Sequence, residues 1–352
     1  HAGLGRYTTH LVTELTSSLK KNDELVLFFS SQKQATEIVP KPTKACTIVI
    51  SPVQHYSLKE QLILPWYFYN AQLDVLHVPH FNVPLLYFGT LVVTIHDLLW
   101  HEKKGGSVTT LSPFVYWVKY FFYHVVTRNA VQRAHTICVP SKTVAKTVTK
   151  QYPKAEKKIV ITKEGAHLLP TKQKITKKKH QILYVGSLYP HKNIQLVIDA
   201  LKQLPKTQLL IVGSRNVFQD KVKKYVTDRH LQHQVSFLGF VNDEKLSELY
   251  AESTALVQPS LSEGFGLTGL EALSLKTPVL ASDIPIFHEI YGQAAQYFNP
   301  HSVEDFIKAY QSLSKKSQKT FTLLAEQTTA EYSWKKMART TYQTYIDAYE
   351  GK

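Results

Sequence analysis

The chain has 352 residues, 43% of them hydrophobic and 20% charged, with 14 Gly and 16 Pro. This length suits two domains, and the mixture excludes collagenous, low-complexity and intrinsically disordered classes. Lys and Arg number 42 against 27 Asp and Glu, a formal net charge of +15, and residues 1–180 hold 24 of the basic but only 10 of the acidic residues.

In chain order, residues 1–7 (His-Ala-Gly-Leu-Gly-Arg-Tyr) read as a glycine-rich loop, followed by an amphipathic helix through Leu11, Leu15 and Leu19. A doubly wound domain places a strand before such a loop, so the first strand is expected to lie upstream of this sequence. Short β-branched or apolar runs follow at 25–29, 47–50, 75–78, 91–95 and 136–139, then at 182–185, 208–212, 235–237, 255–258 and 279–281. Most precede a loop and a segment of helical period, the pattern of parallel sheets with crossover helices. Residues 115–131 form an aromatic helix, for which a buried core position is the commoner explanation and an interfacial one, with Lys119 and Arg128 snorkelling, the alternative. The polar, basic segment 172–180 reads as a linker between two doubly wound α/β domains, with a ligand cleft expected between them.

The one-sided charge fits an anionic membrane, a phosphate-bearing acceptor or a merely solubilising surface. Nucleic acid is set aside, because no zinc-finger, RNP-type or basic-zipper pattern accompanies the charge. Cys46 and Cys138 have no partner at zinc-like spacing, which argues against a disulfide framework or structural zinc. With no signal-like opening and no apolar run of bilayer-spanning length, the expected compartment is the cytoplasm.

The segment Ser260-Leu-Ser-Glu-Gly-Phe-Gly-Leu-Thr-Gly-Leu-Glu271 carries the most chemistry. Gly264 and Gly266 let backbone approach a ligand, and a helix beginning near Leu267 would present its N-terminal N–H groups to a diphosphate. Glu263 and Glu271 can accept hydrogen bonds from sugar or ribose hydroxyls. A metal held by this pair of carboxylates is the alternative, but no Asp-x-Asp motif accompanies them.

With its two glutamates and intervening residues, this stretch resembles the retaining glycosyltransferases of family 4, which have the GT-B fold. The resemblance implies that Glu263 contacts the donor sugar, that Glu271 holds the ribose, and that Gly266, Leu267 and Thr268 supply backbone N–H groups, with Gly264 and Phe265 between. Leu183-Tyr-Val-Gly-Ser-Leu-Tyr-Pro-His-Lys-Asn-Ile194 is similar to the family's diphosphate turn, making Gly186 and Lys192 donor residues. Ser187 and His191 stand where many members carry an arginine, and Arg215 is a substitute cation. His96 ends the strand of Val92-Val-Thr-Ile-His-Asp97, where the family has a histidine near the reacting face; His77 and His80 are core or acceptor-wall residues. Gly3, Leu4, Gly5 and Arg6 resemble the loop that approaches donor and acceptor, with Arg6 on a phosphate, on an acidic acceptor, or at a plain helix start. Further agreement at 134–141, 158–165, 237–246 and 332–334 extends the resemblance over almost the whole chain.

The expected organisation is an acceptor domain at 1–167, a linker at 168–181, a nucleotide-sugar donor domain at 182–333, and a terminal helix at 334–352 that packs back on the first domain. The implied activity is retaining transfer of a mannose- or glucose-type hexose from a donor such as GDP-mannose or UDP-glucose to a glycan or lipid-linked acceptor. It would use a front-face mechanism without cofactor or metal, at a cytoplasmic site or the inner face of a membrane. The non-catalytic alternative is a nucleotide-sugar or polyanion binding protein with a degenerate site. A phosphorylase would be far longer and need a pyridoxal lysine, an epimerase lacks the glutamate pair, and no dinucleotide fingerprint follows a strand.

Overall fold

The computed structural model describes residues 2–102, 112–166, 176–213, 218–313 and 317–351. The first series of elements runs α1 (Ala2–Thr16), β1 (Leu25–Phe29), α2 (Gln32–Ile38), β2 (Cys46–Ile50), α3 (Leu58–Asn70), β3 (Leu76–Val78), β4 (Leu91–Thr94), α4 (Leu99–Glu102), α5 (Pro113–Arg133), β5 (Thr136–Val139), α6 (Lys142–Gln151) and β6 (Ile159–Ile161). Strands β1 and β2 pair in parallel, and β3-β4-β5-β6 form a second parallel sheet in that order. Ser31, Ser57 and Ser141 start α2, α3 and α6 by accepting a first-turn N–H, the usual work of a short hydroxyl side chain at that position.

The second series runs β7 (Gln181–Val185), α7 (Ile194–Leu201), β8 (Gln208–Val212), α8 (Gln219–Thr227), β9 (Val235–Gly239), α9 (Asp243–Glu252), β10 (Ala255–Gln258), α10 (Leu267–Ser274), β11 (Val279–Ser282), α11 (Pro285–Tyr291), β12 (Ala295–Phe298), α12 (Val303–Ser312), α13 (Gln318–Ala330) and α14 (Trp334–Glu350). Its strands form one six-stranded parallel sheet of order β12-β11-β10-β7-β8-β9. Both series are Rossmann-like, and together they define the two domains of a GT-B protein.

Two compact units emerge: His1–Leu98 with Pro113–Gly165 and Ser333–Lys352, and Leu99–Ser112 with Ala166–Tyr332. In unit 1, alternation along the strands sends Val93, Ile95, Ile137 and Val139 to one face, where Phe68 of α3, Ala130 of α5 and Val144 of α6 cover them. Val92 and Cys138 point to the other face and meet Ala348 of α14. Helix α14 also packs along α1. In unit 2, the central strands are buried on both faces, which explains their near-continuous apolar runs.

Three expectations change. Gly3, Leu4, Gly5 and Arg6 lie in the first turns of α1 and do not form a loop. Tyr7, Leu11 and Leu15 make one buried stripe at helical spacing, and that stripe carries the helix back across both glycines. Residues 167–175 of the expected linker lie outside the described residues, but the following stretch is not a free tether: Lys178 N donates to Glu252 O at 2.7 Å, Lys178 Nζ pairs with Glu252 Oε2 at 2.7 Å, and Gln181 already belongs to β7. Helix α5 is buried along Tyr116, Val126, Thr127, Ala130 and Val131, whereas Phe114, Trp117, Phe121 and Phe122 face outward. A helix apolar all round exceeds what one sheet face can cover. Strands β6 and β12 were not among the predicted runs.

Candidate functional site

In the sheet of unit 2, β7 lies beside β10, and the chain leaves β7 toward β8 but leaves β10 toward β11. Connections that diverge in this way open a crevice at the carboxyl ends of the two strands, where doubly wound proteins hold ligands. Both signature segments emerge there. Leu261 N donates to His191 O at 2.8 Å, joining their backbones, and Lys192 Nζ reaches Glu263 Oε1 at 2.5 Å. Ser260 Oγ also donates to Glu263 Oε1, at 3.0 Å. The Lys192 and Glu263 side chains are only 19% and 17% exposed, so the pair faces a partly desolvated space.

Gly266 is the residue before α10 and has φ +108°, a left-handed conformation in which a Cβ would stand 2.3 Å from Tyr291 Oη. Only glycine is accommodated, and the helix behind it begins without a side-chain cap. Leu267 and Thr268 therefore carry first-turn N–H groups, which helix geometry leaves without an intrahelical carbonyl. A buried brace holds this turn: Tyr291 Oη lies 2.7 Å from Gln258 Oε1 and 2.6 Å from Gly266 O, and Gln258 Nε2 donates to Thr268 Oγ1 at 2.8 Å. Burial and then the Glu263 charge push the Tyr291 phenol well above its ordinary pKa, so it stays protonated and able to donate. Tyr184 is raised for the same two reasons and donates to Ser187 O.

Glu271 lies in the second turn of α10, 1% exposed, and accepts from Tyr250 Oη at 2.9 Å. Phe265 turns its ring inward against Tyr332, so only its backbone faces the loop. Gly186, Leu188, Ile211, Gly213, Gln219, Phe237 and Gly239 line a small hollow beside the turn after β7. A Cβ on Gly213 would come within 2.1 Å of Gly186 O, so the turns after β7 and β8 pass backbone to backbone. Gln219 Oε1 is buried there with no partner among the described residues. Arg215, offered as the second phosphate cation, lies outside the described residues.

In unit 1, His96 leaves the end of β4 with Nδ1 3.1 Å from Glu164 Oε1 and Nε2 3.2 Å from the Pro79 carbonyl, while Tyr7 meets its ring edge-on at 4.5 Å. Beneath it, His77 bridges Tyr345 Oη at 2.5 Å and Thr94 Oγ1 at 2.8 Å. Burial, aided by the neighbouring His96, lowers the His77 pKa to about 3. His80 is lowered to about 3 by burial, His96 and His55.

Thus Lys192, Glu263, Gly186, Ser187 and residues 264–268 share one end of the unit 2 sheet, and Glu271 lies on the helix just behind them. His96 and the Gly3–Arg6 segment belong to unit 1. Sequence reasoning missed Glu164, Ser260, Gln258, Gln219, Tyr250 and Tyr291. Gln258 and Ser260 were signalled by their place at and just beyond a strand's carboxyl end; Tyr250 and Tyr291 reach the site through tertiary packing and had no local signal. Among the described residues, no group of three or more His, Cys, Asp or Glu side chains is placed to hold a metal ion.

The chain has the two-domain GT-B fold, with a glycine-framed helix start and a Lys–Glu pair at the switch point of its second sheet. Residues 168–329 match the family model of glycosyl transferases group 1, and the chain belongs to that family. It is 32% identical over 240 residues to the O-antigen chain mannosyltransferase RfbU of Salmonella typhimurium, covering 67% of this chain and 62% of the relative. It is also 32% identical over 194 residues to O-antigen chain mannosyltransferase B of Escherichia coli, covering 53% and 51%. The matches therefore span between half and two thirds of these relatives. Among solved structures, sucrose-phosphate synthase from Thermosynechococcus elongatus superposes with TM-score 0.75 at 16% identity, covering 98% of this chain and 93% of that one. WaaG, a glycosyltransferase involved in lipopolysaccharide biosynthesis, superposes with TM-score 0.73 at 16% identity, covering 96% and 95%. These likenesses establish the fold. No helix among the described residues is long and apolar enough to cross a membrane.

Proposed function

We propose that the protein is a retaining hexosyltransferase of family 4 that takes a hexose from a nucleoside-diphosphate sugar to a glycan or lipid-linked acceptor. The observation that carries this reading is the Lys192–Glu263 pair beside the uncapped start of α10 at the β7/β10 switch point. Lys192 and the Leu267 and Thr268 N–H groups place positive potential where a diphosphate would gain charge as it leaves. Glu263 and Glu271 supply acceptors for sugar and ribose hydroxyls. As the bond from the anomeric carbon to the β-phosphate oxygen breaks, the acceptor oxygen bonds to that carbon from the same face, and its proton passes to the leaving phosphate. Such a step needs neither a covalent nucleophile nor a metal, with the nucleotide sugar as co-substrate. His96, in unit 1, is proposed to serve the same reaction, and Gly3, Gly5 and Arg6 to serve the acceptor side.

Two relatives named as mannosyltransferases favour mannose, and GDP-mannose, over glucose and UDP-glucose. The O-antigen chain named for these relatives favours a lipid-linked polysaccharide precursor as acceptor, used at the cytoplasmic side of a membrane.

Thermal shift of wild type, Lys192→Ala and Glu271→Ala against GDP-mannose, UDP-glucose, UDP-N-acetylglucosamine and their nucleoside diphosphates tests the donor assignment. Stabilisation by one donor, reduced in both variants, supports it, because the shift follows ligand concentration over Kd. Tight donor binding without turnover would favour a non-catalytic binding protein.

A further inference from the structure

We propose that the outward face of α3, α5 and α6 in unit 1 is a docking surface for an anionic lipid bilayer. Phe114, Trp117 and Phe121 on α5 are 80%, 55% and 62% exposed, and Trp66 on α3 is 61% exposed, with Phe88 and Leu86 exposed on the loop that follows β3. Arg133, the last residue of α5, stacks over Phe88 at 4.7 Å, and Tyr69 Oη bonds the backbone of Phe88 and Leu86, so the C-terminal ends of α3 and α5 are tied together through this loop. Large aromatic rings left in water over two adjacent helices exceed the scattered apolar exposure of an ordinary soluble surface. Trp, Tyr and Phe are the side chains that favour the headgroup boundary, where a ring is buried and its polar edge stays wet.

The charge says which surface covers it. Residues 113–165 contain ten basic residues and two acidic ones. One of the two, Glu164, is buried against His96, which leaves Glu156 as the exposed acid of the segment. On α3 the acid is Glu60, buried and bonded to Tyr56 N and Asn82 Nδ2. Lys142, Lys146 and Lys150 form an exposed row along α6, opposite the buried Val144 and Val148, and Lys154 and Lys157 extend it. Helices α3, α5 and α6 cover the same face of the sheet, so the aromatic ridge and the lysine row share one side of the unit. A second copy of the chain would set lysines against lysines across a two-fold interface. Anionic headgroups above an apolar layer match both features. Because α5 returns from β4 to the start of β5, its exposed N-terminal half lies at the end of the sheet where His96 emerges.

The full chain is mixed with vesicles of phosphatidylcholine alone or with phosphatidylglycerol added, and recovery by flotation is measured. The proposal expects recovery only with phosphatidylglycerol, declining as salt rises, and quenching of Trp fluorescence by brominated lipid that falls in Trp66→Phe/Trp117→Phe. Lys142→Gln/Lys146→Gln/Lys150→Gln, whose solvent-facing changes leave the core intact, should weaken partitioning by roughly 100-fold, while Lys33→Gln/Lys41→Gln/Lys44→Gln leaves it near wild type. Equal recovery with both vesicle types, equal loss in the two triple variants, or self-association that shields Trp117 without lipid would each overturn it. Flotation is done without donor, so its failure leaves the glycosyltransferase reading standing, and absent donor binding leaves the docking surface standing.

Discussion

Lys192 of the β7 turn and Glu263 of the β10 loop, 71 residues apart in sequence, meet at 2.5 Å and neutralise each other at the carboxyl end of the unit 2 sheet. The pair lies in a partly desolvated place, so a diphosphate must compete with Glu263 for the lysine. Glu263→Gln should therefore bind a nucleoside diphosphate as tightly as wild type or more tightly, while turnover falls at least tenfold. Lys192→Ala should lose both. Isothermal titration with the nucleoside diphosphate, beside a turnover assay, checks this; weaker diphosphate binding in Glu263→Gln would show that the pair binds phosphate as a unit.

Gly266→Ala combines a left-handed backbone with a Cβ placed 2.3 Å from Tyr291 Oη. The expected loss is about 1–3 kcal/mol of stability, with donor binding lost as the start of α10 shifts. Tyr291→Phe in the same chain removes the clashing oxygen but not the φ strain, so denaturant midpoints should show partial recovery. Full recovery would assign the whole effect to the clash.

His77 and His80 have folded pKa values lowered to about 3, against ordinary unfolded values. Between about pH 3 and 6.5 the unfolded chain binds protons that the folded chain refuses, so their contribution is complete above about pH 6.5 and is lost as the pH falls. The slope is at most about 1.4 kcal/mol per pH unit for each histidine, the limit set by one proton per ring. Urea unfolding at pH 7 and pH 5 should show the loss, and His77→Gln should reduce it by one proton's share.

Glu164 faces His96 at 3.1 Å and is 4% exposed. Glu164→Gln keeps an acceptor for the imidazole and should preserve the fold, while Glu164→Leu strands the ring nitrogen and should cost about 1–3 kcal/mol. If Glu164 positions His96 for the proposed transfer, Glu164→Gln lowers kcat and alters its pH profile, with little change in donor KM. An unchanged kcat would make the pair structural only.

Strand–helix alternation, the switch from one apolar period to another, and the glycines flanking Glu263 are written locally, because strands buried on both faces must be apolar and a left-handed turn must carry glycine. The parallel α/β architecture and the glycine-framed turn before α10 were readable for that reason. Of the two missed strands, β6 is a three-residue run of β-branched residues that carried the mark and was passed over, and Ala295-Gln-Tyr-Phe298 of β12 is neither alternating nor β-branched at its start. At the amino end, two glycines suggested a loop, but the buried stripe of Tyr7, Leu11 and Leu15 extended the helix through them.

Partnerships across long sequence separation were decided by the tertiary structure alone. Nothing near Glu263 in sequence announces Lys192, and nothing near His96 announces Glu164, because these contacts exist only once parallel strands bring distant turns to the same edge of a sheet. The aromatic helix α5 shows the same division: composition marks it as apolar on every side, but only the packed sheet determines which side is covered and which rings remain in solvent.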